Sequence, residues 1–379
     1  MQPYRIGIDA RFFRSSTGGI GRYSRELLRH IAALDHENEY IVFITEADLP
    51  EWEIDQPNMQ PVVVQAPHYS LKEQTSFYRT LLSYGCDLVH FLNFNHPILY
   101  RKPFVSTLHD LTLIHFPESN ARSSKLWLRK KAFMTVMRRS VHAARKVIAI
   151  SEYTAHDAER VLGASQACME VVYEGGPDVS PLPFGNKKIV QDYLGSKAPY
   201  ILFVSQWRGH KGIKTLLEAF DRLKQEYGLP HKLVLTGRQE SASDSVRERI
   251  RSSPFLADIV MPGFAPDDLL PALYHNAAVF VMPSEYEGFG LPVLEAMAYG
   301  APAVIADNSS LPEVGGEAAL RFVTADAVSL SDKIQQVLSD VHFADTLRQK
   351  GFIQVQKFSW DKCARDKLKV YAQILEKRR

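Results

Sequence analysis

Cysteine is scarce. Cys86, Cys168 and Cys363 are three in 379 residues, odd in number and scattered. That argues against a disulfide framework or a zinc cluster and points to a reducing compartment. Long apolar runs are missing as well, since no stretch approaches the roughly 18–20 residues that a membrane span needs. Neither sign of charge dominates: 45 Lys+Arg stand against 43 Asp+Glu, a net charge of +2. A global nucleic-acid signature is thereby absent. There is no Asp-x-Asp and no His/Cys cluster with ligand spacing, so no metal site is indicated. No sustained repeat or low-complexity segment occurs. The first strand-like run, Tyr4 to Asp9, starts almost at Met1 and leaves no room for a signal peptide, so the expected location is cytoplasmic.

What is there is an ordinary globular composition, 45% hydrophobic and 23% charged, at a length that suits two domains. Strand-like runs recur at Tyr4 to Asp9, Tyr40 to Thr45, Val62 to Gln65, Leu88 to Phe91, Phe104 to Leu108, Val147 to Ile150 and Glu170 to Tyr173. Helical segments lie between several of them, an alternation that implies a parallel, doubly wound α/β sheet. The pattern loosens over 177–198, rich in Pro, Gly and polar residues, then restarts at Tyr200 to Val204. The expected division is 1–185 for a first domain, 186–199 for a linker and 200–358 for a second domain. A final helix opens near Ser359-Trp360 and occupies 359–379.

The stretch Ser284 to Gly300, SEYEGFGLPVLEAMAYG, organises the second half. An apolar run, Ala277 to Met282, ends at Pro283, and Gly288-Phe289-Gly290 then leads into Leu291-Pro292, where a helix should begin. A loop at the carboxyl end of a parallel strand feeding a helix start is where ligands bind in open sheets. Free amides at such a start favour an anion, and the two glycines let backbone come close to it. Glu287 and Glu295 bracket seven residues. Glu287 would repel a bare phosphate and so suits hydroxyl groups or developing positive charge. Glu295 also has a purely structural reading, because negative charge is favoured early in a helix.

Other polar groups sit at strand ends too. Gly18 and Gly19 lie in a glycine-rich loop whose spacing is wrong for the nicotinamide fingerprint, and which could equally be a tight turn. His109-Asp110 follows Phe104 to Leu108, where a structural hydrogen-bonder is the commoner reading of a histidine. Arg208 and Lys211 follow Tyr200 to Val204, the right place for cations on a diphosphate or for surface decoration. Residues 121–146 hold nine Lys or Arg and no acid, interleaved with Leu126, Trp127, Leu128, Phe133, Met134 and Met137. Such a segment suits an anionic membrane surface, or a solvated basic face packed by its apolar stripe.

The run EGFGLPVLEA resembles the Glu-x7-Glu signature of glycosyltransferase family 4, retaining GT-B enzymes that use nucleotide-sugar donors. The resemblance spans almost the whole length and is weakest from Leu49 to Ser83. It implies two Rossmann-like domains around a cleft, the first for the acceptor and the second for the donor, with the last helix crossing back to the first. It implies Glu287 by the donor sugar, Glu295 on the ribose hydroxyls, and Gly288, Phe289, Gly290 and Leu291 along the donor. TLHDLT resembles the segment whose histidine contacts the sugar, which makes His109 catalytic beside Glu287. Gly18 and Gly19 would line the cleft near the donor phosphates, and Gly263 and Phe264 would read the nucleotide base. Arg208 and Lys211 would hold the diphosphate; many members place the Arg five residues before the Lys, where this chain has Gln206.

No cofactor is implied beyond the donor as co-substrate, GDP-mannose or a UDP-hexose. SSTGGIGRYSRELL resembles the start of bacterial cell-surface polysaccharide enzymes, many of them mannosyl or rhamnosyl transferases. The expected function is therefore a metal-independent hexosyltransferase, leaning to mannose. Its acceptor would be a glycan or a polyprenyl-diphosphate-linked glycan, with 121–146 touching the inner face of the plasma membrane. The rival readings are a GT-B nucleotide-sugar 2-epimerase and a non-catalytic GT-B partner subunit.

Overall fold

The structure, a computed structural model, describes residues 3–116, 124–177, 186–239 and 244–377, without the side chains of 124–130. The chain forms two compact units. Unit 1 comprises Met1–Ile114, Ser119–Gly175 and Trp360–Arg379; unit 2 comprises His115–Glu118 and Gly176–Ser359.

Unit 1 carries a seven-stranded sheet of β1 (Arg5–Asp9), β2 (Glu39–Ile44), β3 (Met59–Val63), β4 (Leu88–Phe91), β5 (Phe104–Leu108), β6 (Lys146–Ala149) and β7 (Met169–Val171). Their spatial order is β3-β2-β1-β4-β5-β6-β7, and every pairing is parallel. The central strands are buried along their length because helices cover the sheet, which is why they read as largely apolar runs, with His90, Ser106 and Thr107 as buried polar exceptions. On the Gly19–Leu34 helix, Tyr23, Leu27, Leu28 and Ile31 share one face by their spacing and are fully buried. The Trp360–Glu376 helix belongs to this unit, where Tyr371 bonds His90 of β4 (Oη to Nδ1, 2.5 Å).

Unit 2 repeats the plan with six parallel strands, β8 (Tyr200–Val204), β9 (Lys232–Thr236), β10 (Ile259–Gly263), β11 (Val279–Met282), β12 (Ala303–Ala306) and β13 (Ala319–Phe322). Their order is β10-β9-β8-β11-β12-β13. The α/β fold of two parallel sheets agrees with the reading of the sequence. In each sheet the chain starts centrally, runs to one edge and returns to the other side of its first strand. The order thus reverses between β1 and β4 in unit 1 and between β8 and β11 in unit 2.

Two local readings need correction. Residues 186–199 are not an extended linker, because Asn186–Leu194 is a helix that buries Val190 and Leu194. Residues 178–185, part of the same loosened stretch, lie outside the described residues. The strand read at Val62 to Gln65 is Met59–Val63, shifted toward the amino end. Pro61 lies inside it, which a strand tolerates only at a sheet edge, and β3 is the edge strand.

Buried histidines couple this fold to pH. His96 is fully buried between the Phe91 and Phe104 rings, and Nδ1–H donates to the Phe94 carbonyl. Burial holds its pKa down to about 4, and burial pushes that of His90 well below the ordinary value. In the unfolded chain both titrate near 6.5. As pH falls from there toward 4 the unfolded chain takes up protons that the folded chain does not, so stability falls, by about 1.4 kcal/mol per pH unit for each histidine. Thermal melts between pH 7 and pH 4.5 should show a falling Tm, with a shallower slope for His96→Phe. An unchanged slope would mean that His96 titrates in the folded protein as it does in the unfolded chain.

Candidate donor site

The reversal point of unit 2 is flanked by the loops that leave β8 and β11. The first turns tightly through Gly209–Lys211 and ends at Gly212, whose φ is +69°. A β-carbon there would lie 1.9 Å from the Pro283 carbonyl oxygen, so only glycine lets the two loops meet. The contact is reinforced where Glu285 N–H donates to the His210 carbonyl at 2.7 Å.

Across this junction Lys211 Nζ and Glu287 Oε1 stand 2.7 Å apart. The side chains are 16% and 11% exposed, so the pair sits in a partly dry recess that still opens to solvent. Both Lys211 and Glu287 were candidates from sequence, and the fold brings them together. What holds Glu287 had gone unseen in the sequence. The loop after β12 supplies Ser309, whose Oγ accepts from Glu287 N–H at 3.0 Å, and Ser310, whose hydroxyl reaches the carbonyls of Glu287 (3.0 Å) and Phe289 (2.8 Å). Asn308 donates to the Ser284 carbonyl at 3.4 Å. Ser309 itself adopts φ +49°, an uncommon value for a residue with a β-carbon.

Gly288, Phe289 and Gly290 then carry the chain into the Leu291–Ala298 helix, with Gly290 at φ +111° as the residue before it. Leu291 and Pro292 open that helix, and no intrahelical carbonyl can reach the Leu291 amide. Glu295, one turn further on, is 6% exposed and accepts from the Tyr274 hydroxyl at 2.7 Å. Tyr274 lies on the Leu270–His275 helix and carried no sequence signal.

Gly263 closes β10 at φ +86°, and its carbonyl accepts from Gly237 N–H and the Thr236 hydroxyl. Phe264 beyond it is 57% exposed, with the Arg238 guanidinium 5.2 Å above its ring. Arg208 is exposed, in the same loop as Lys211.

The remaining candidates belong to unit 1. Gly18 precedes and Gly19 opens the Gly19–Leu34 helix. Tyr23 of that helix meets the His109 ring edge-on at 4.6 Å. His109 is 7% exposed; Nε2–H donates to the Leu92 carbonyl at 2.8 Å, and Nδ1 lies 3.4 Å from Glu174 Oε1. Both ring nitrogens thus face protein groups. Glu174, 4% exposed, was not singled out from sequence. Asp110 Oδ1 accepts from Thr112 N–H at 2.8 Å and so shapes its own loop.

In the basic segment 121–146, Arg122 lies outside the described residues, as do the side chains of Lys125, Leu126, Trp127, Leu128, Arg129 and Lys130. Of its apolar residues, Met137 is buried and Phe133 packs on Phe94 at 4.7 Å, so this part of the stripe faces unit 1. Lys131, Arg138 and Arg145 are exposed. Among the described residues no helix is long and apolar enough to cross a membrane.

Comparison with known proteins bears on family and fold. A model of glycosyl transferases group 1 matches residues 186–354, and one of glycosyltransferase family 4 matches residues 17–175. The chain belongs to the GT-B glycosyltransferases of this family and is a glycosyltransferase. It is 28% identical to O-antigen chain mannosyltransferase B of Escherichia coli, over 93% of this chain and 95% of that one. It is 30% identical to the serotype-specific mannosyltransferase WbdA of E. coli over 62% of this chain; that match spans 28% of the longer relative. In fold it resembles sucrose-phosphate synthase from Thermosynechococcus elongatus (TM-score 0.79, 22% identity, 98% and 99% of the two chains). It also resembles Anabaena HepE in complex with UDP and glucose (TM-score 0.75, 18% identity, 98% and 100% covered).

The glycine contact gives a stability prediction. Gly212→Ala forces both a left-handed alanine and a carbonyl clash, and should cost more than about 2 kcal/mol. Urea titration should show an earlier midpoint; a variant as stable as the wild type would contradict the packing of Gly212 on Pro283.

Proposed function

We propose that this chain transfers a mannosyl group from GDP-mannose, with retention, to a glycan or lipid-linked glycan in cell-surface polysaccharide synthesis. Family membership supports transfer from a nucleotide-sugar donor to a glycan acceptor. The preference for mannose rests on the mannosyltransferases among its relatives. The single observation that carries the site assignment is the Lys211–Glu287 pair at the reversal point of unit 2, with Glu295 following on the next helix.

The proposed chemistry follows from charge. When the donor enters, its diphosphate takes over Lys211 from Glu287, assisted by Arg208 and the Leu291 amide at the helix start. Glu287 is then released toward the sugar hydroxyls. Glu295, oriented by Tyr274, accepts hydrogen bonds from the ribose hydroxyls, and the base lies by Gly263 and Phe264. The bond between C1 and the phosphate oxygen breaks with its electron pair leaving on the nucleoside diphosphate. Lys211 stabilises that growing negative charge without any movement of a proton. The acceptor hydroxyl attacks C1 from the same face and passes its proton to the departing phosphate oxygen. His109, which the family resemblance makes catalytic, is held in orientation by the Leu92 carbonyl and Glu174.

Thermal shift with GDP, UDP and their sugars identifies the donor, since a ligand that binds only the folded chain raises Tm by mass action. GDP-mannose should give the largest shift; a larger shift with a UDP-hexose would transfer the proposal to that donor. Incubation with donor alone must leave the sugar unchanged, because an epimerase would convert it.

Lys211→Ala should lower kcat/KM by about 2–4 kcal/mol, some 30- to 1,000-fold, and unchanged turnover would remove its role. Glu295→Ala should chiefly raise the donor KM; a normal donor KM would end the ribose assignment. A carrier on an anionic membrane would engage the exposed Lys131, Arg138 and Arg145. Flotation with phosphatidylglycerol vesicles should fall on converting these three to Gln, and equal flotation would refute the contact.

A further inference from the structure

Unit 1 holds a buried charge cluster that the donor chemistry leaves unused. Arg11, 1% exposed, reaches Asp9 (Nε to Oδ1, 2.7 Å) and Glu73 (Nη2 to Oε1, 2.6 Å), and donates to the Ala66 carbonyl at 2.8 Å. Glu73, 2% exposed, also accepts from Asn95 Nδ2 at 2.7 Å and, through Oε2, from Tyr69 N–H at 3.1 Å. Ionic groups this deeply buried are poor sources of stability, and their best use is to fix geometry. Here they fix the loops that leave β1, β3 and β4. Two of those loops flank the reversal between β1 and β4, the place where open parallel sheets take ligands.

The residue positioned by this cluster is Tyr69. Its φ is +58°, disfavoured for any residue with a β-carbon, and strain of this kind gathers at ligand sites. It is nevertheless 51% exposed, so the strain does not serve to bury the ring. Phe12, Phe94 and Phe133 stand around it with centroids 6.4, 6.0 and 5.7 Å away. Its hydroxyl oxygen accepts from Asn93 Nδ2 at 3.3 Å, which leaves the phenolic hydrogen to donate. A tyrosine hydroxyl keeps its proton at neutral pH, so that hydrogen stays in place. The neighbouring His68 stacks on Phe12 and donates from Nε2 to the Arg11 carbonyl at 2.8 Å. Burial and Arg11 push its pKa down to about 4, so it stays neutral. Glu73 itself opens a π-helical turn, Glu73–Phe77, a geometry frequent at functional sites.

An exposed aromatic face with a hydroxyl donor and planar polar groups at its rim matches one ligand chemistry well. A pyranose has an apolar C–H face for the ring and hydroxyls for the rim. We propose that Tyr69 is the stacking platform for a pyranose ring of the acceptor, and that Arg11, Asp9 and Glu73 are the clamp that aims it. The assignment rests on the glycosyltransferase reading for the word acceptor, and on unit 1 alone for the platform.

Saturation-transfer NMR on the full chain, with methyl α-mannoside, α-glucoside, α-galactoside and α-rhamnoside as probes, tests it. At least one glycoside should receive saturation, and Tyr69→Ala should weaken it about tenfold or more while Tyr69→Phe, which keeps the ring, loses about threefold. Tyr69→Gly separates platform from fold: glycine suits φ +58°, so Tm should hold or rise while glycoside binding is lost. No signal from any of the four on the wild type, or an unchanged signal in Tyr69→Ala, overturns the proposal. A nucleotide thermal shift run in parallel distinguishes the two readings. Its absence sinks the donor assignment alone, and loss of the glycoside signal in Tyr69→Ala upholds the platform either way.

Discussion

One ion pair organises unit 2. Lys211 and Glu287 come from loops 76 positions apart and meet at 2.7 Å where the strand order reverses. A partly buried pair of this kind is costly to break by removing one partner, because the other charge is left stranded. In the proposed function an incoming diphosphate replaces Glu287 at Lys211, so that the cation is never left unpaired. Everything around the pair keeps the two loops in register. Gly212 packs directly on Pro283, Ser309 and Ser310 grip the backbone of Glu287 and Phe289, and Gly290 turns the chain into the next helix.

Unit 1 uses buried charge to a similar end. Arg11, Asp9 and Glu73 are too dry to serve a soluble partner directly, yet they set the backbone of three loops at once. His109 and Glu174 repeat the device on the other side of the reversal point, with the imidazole tied to Leu92. In both units chemistry-bearing groups gather at the carboxyl edge of a parallel sheet, because there the strands end in loops that have not yet committed their amides to a helix.

The strands were legible because both faces of these sheets are covered, so that each strand is largely apolar; Leu88–Phe91, Phe104–Leu108 and Tyr200–Val204 were read to the residue. The boundary errors have local causes. Pro61 disguised an edge strand, and the polar face of Asn186–Leu194 hid a helix. The candidate donor site was legible in part, as the candidates Glu287, Glu295 and Lys211, whose spacing and strand-end placement are linear features. Their partners were not, because the contact of Tyr274 with Glu295 spans 21 positions and that of Arg11 with Glu73 spans 62. Such contacts exist only once the sheet has assembled. Tyr69 lay in the stretch where family resemblance is weakest, and its backbone angle and exposure mark it out only once the chain is folded.

The central claim is that the reversal point of unit 2 recognises a diphosphate before it recognises anything else. Calorimetric titration of the preferred nucleoside diphosphate against its bare nucleoside tests this most directly. Two charge-assisted hydrogen bonds to the phosphates predict an affinity about 100-fold or more in favour of the diphosphate, narrowing as salt is raised. Equal affinities for diphosphate and nucleoside would contradict the account.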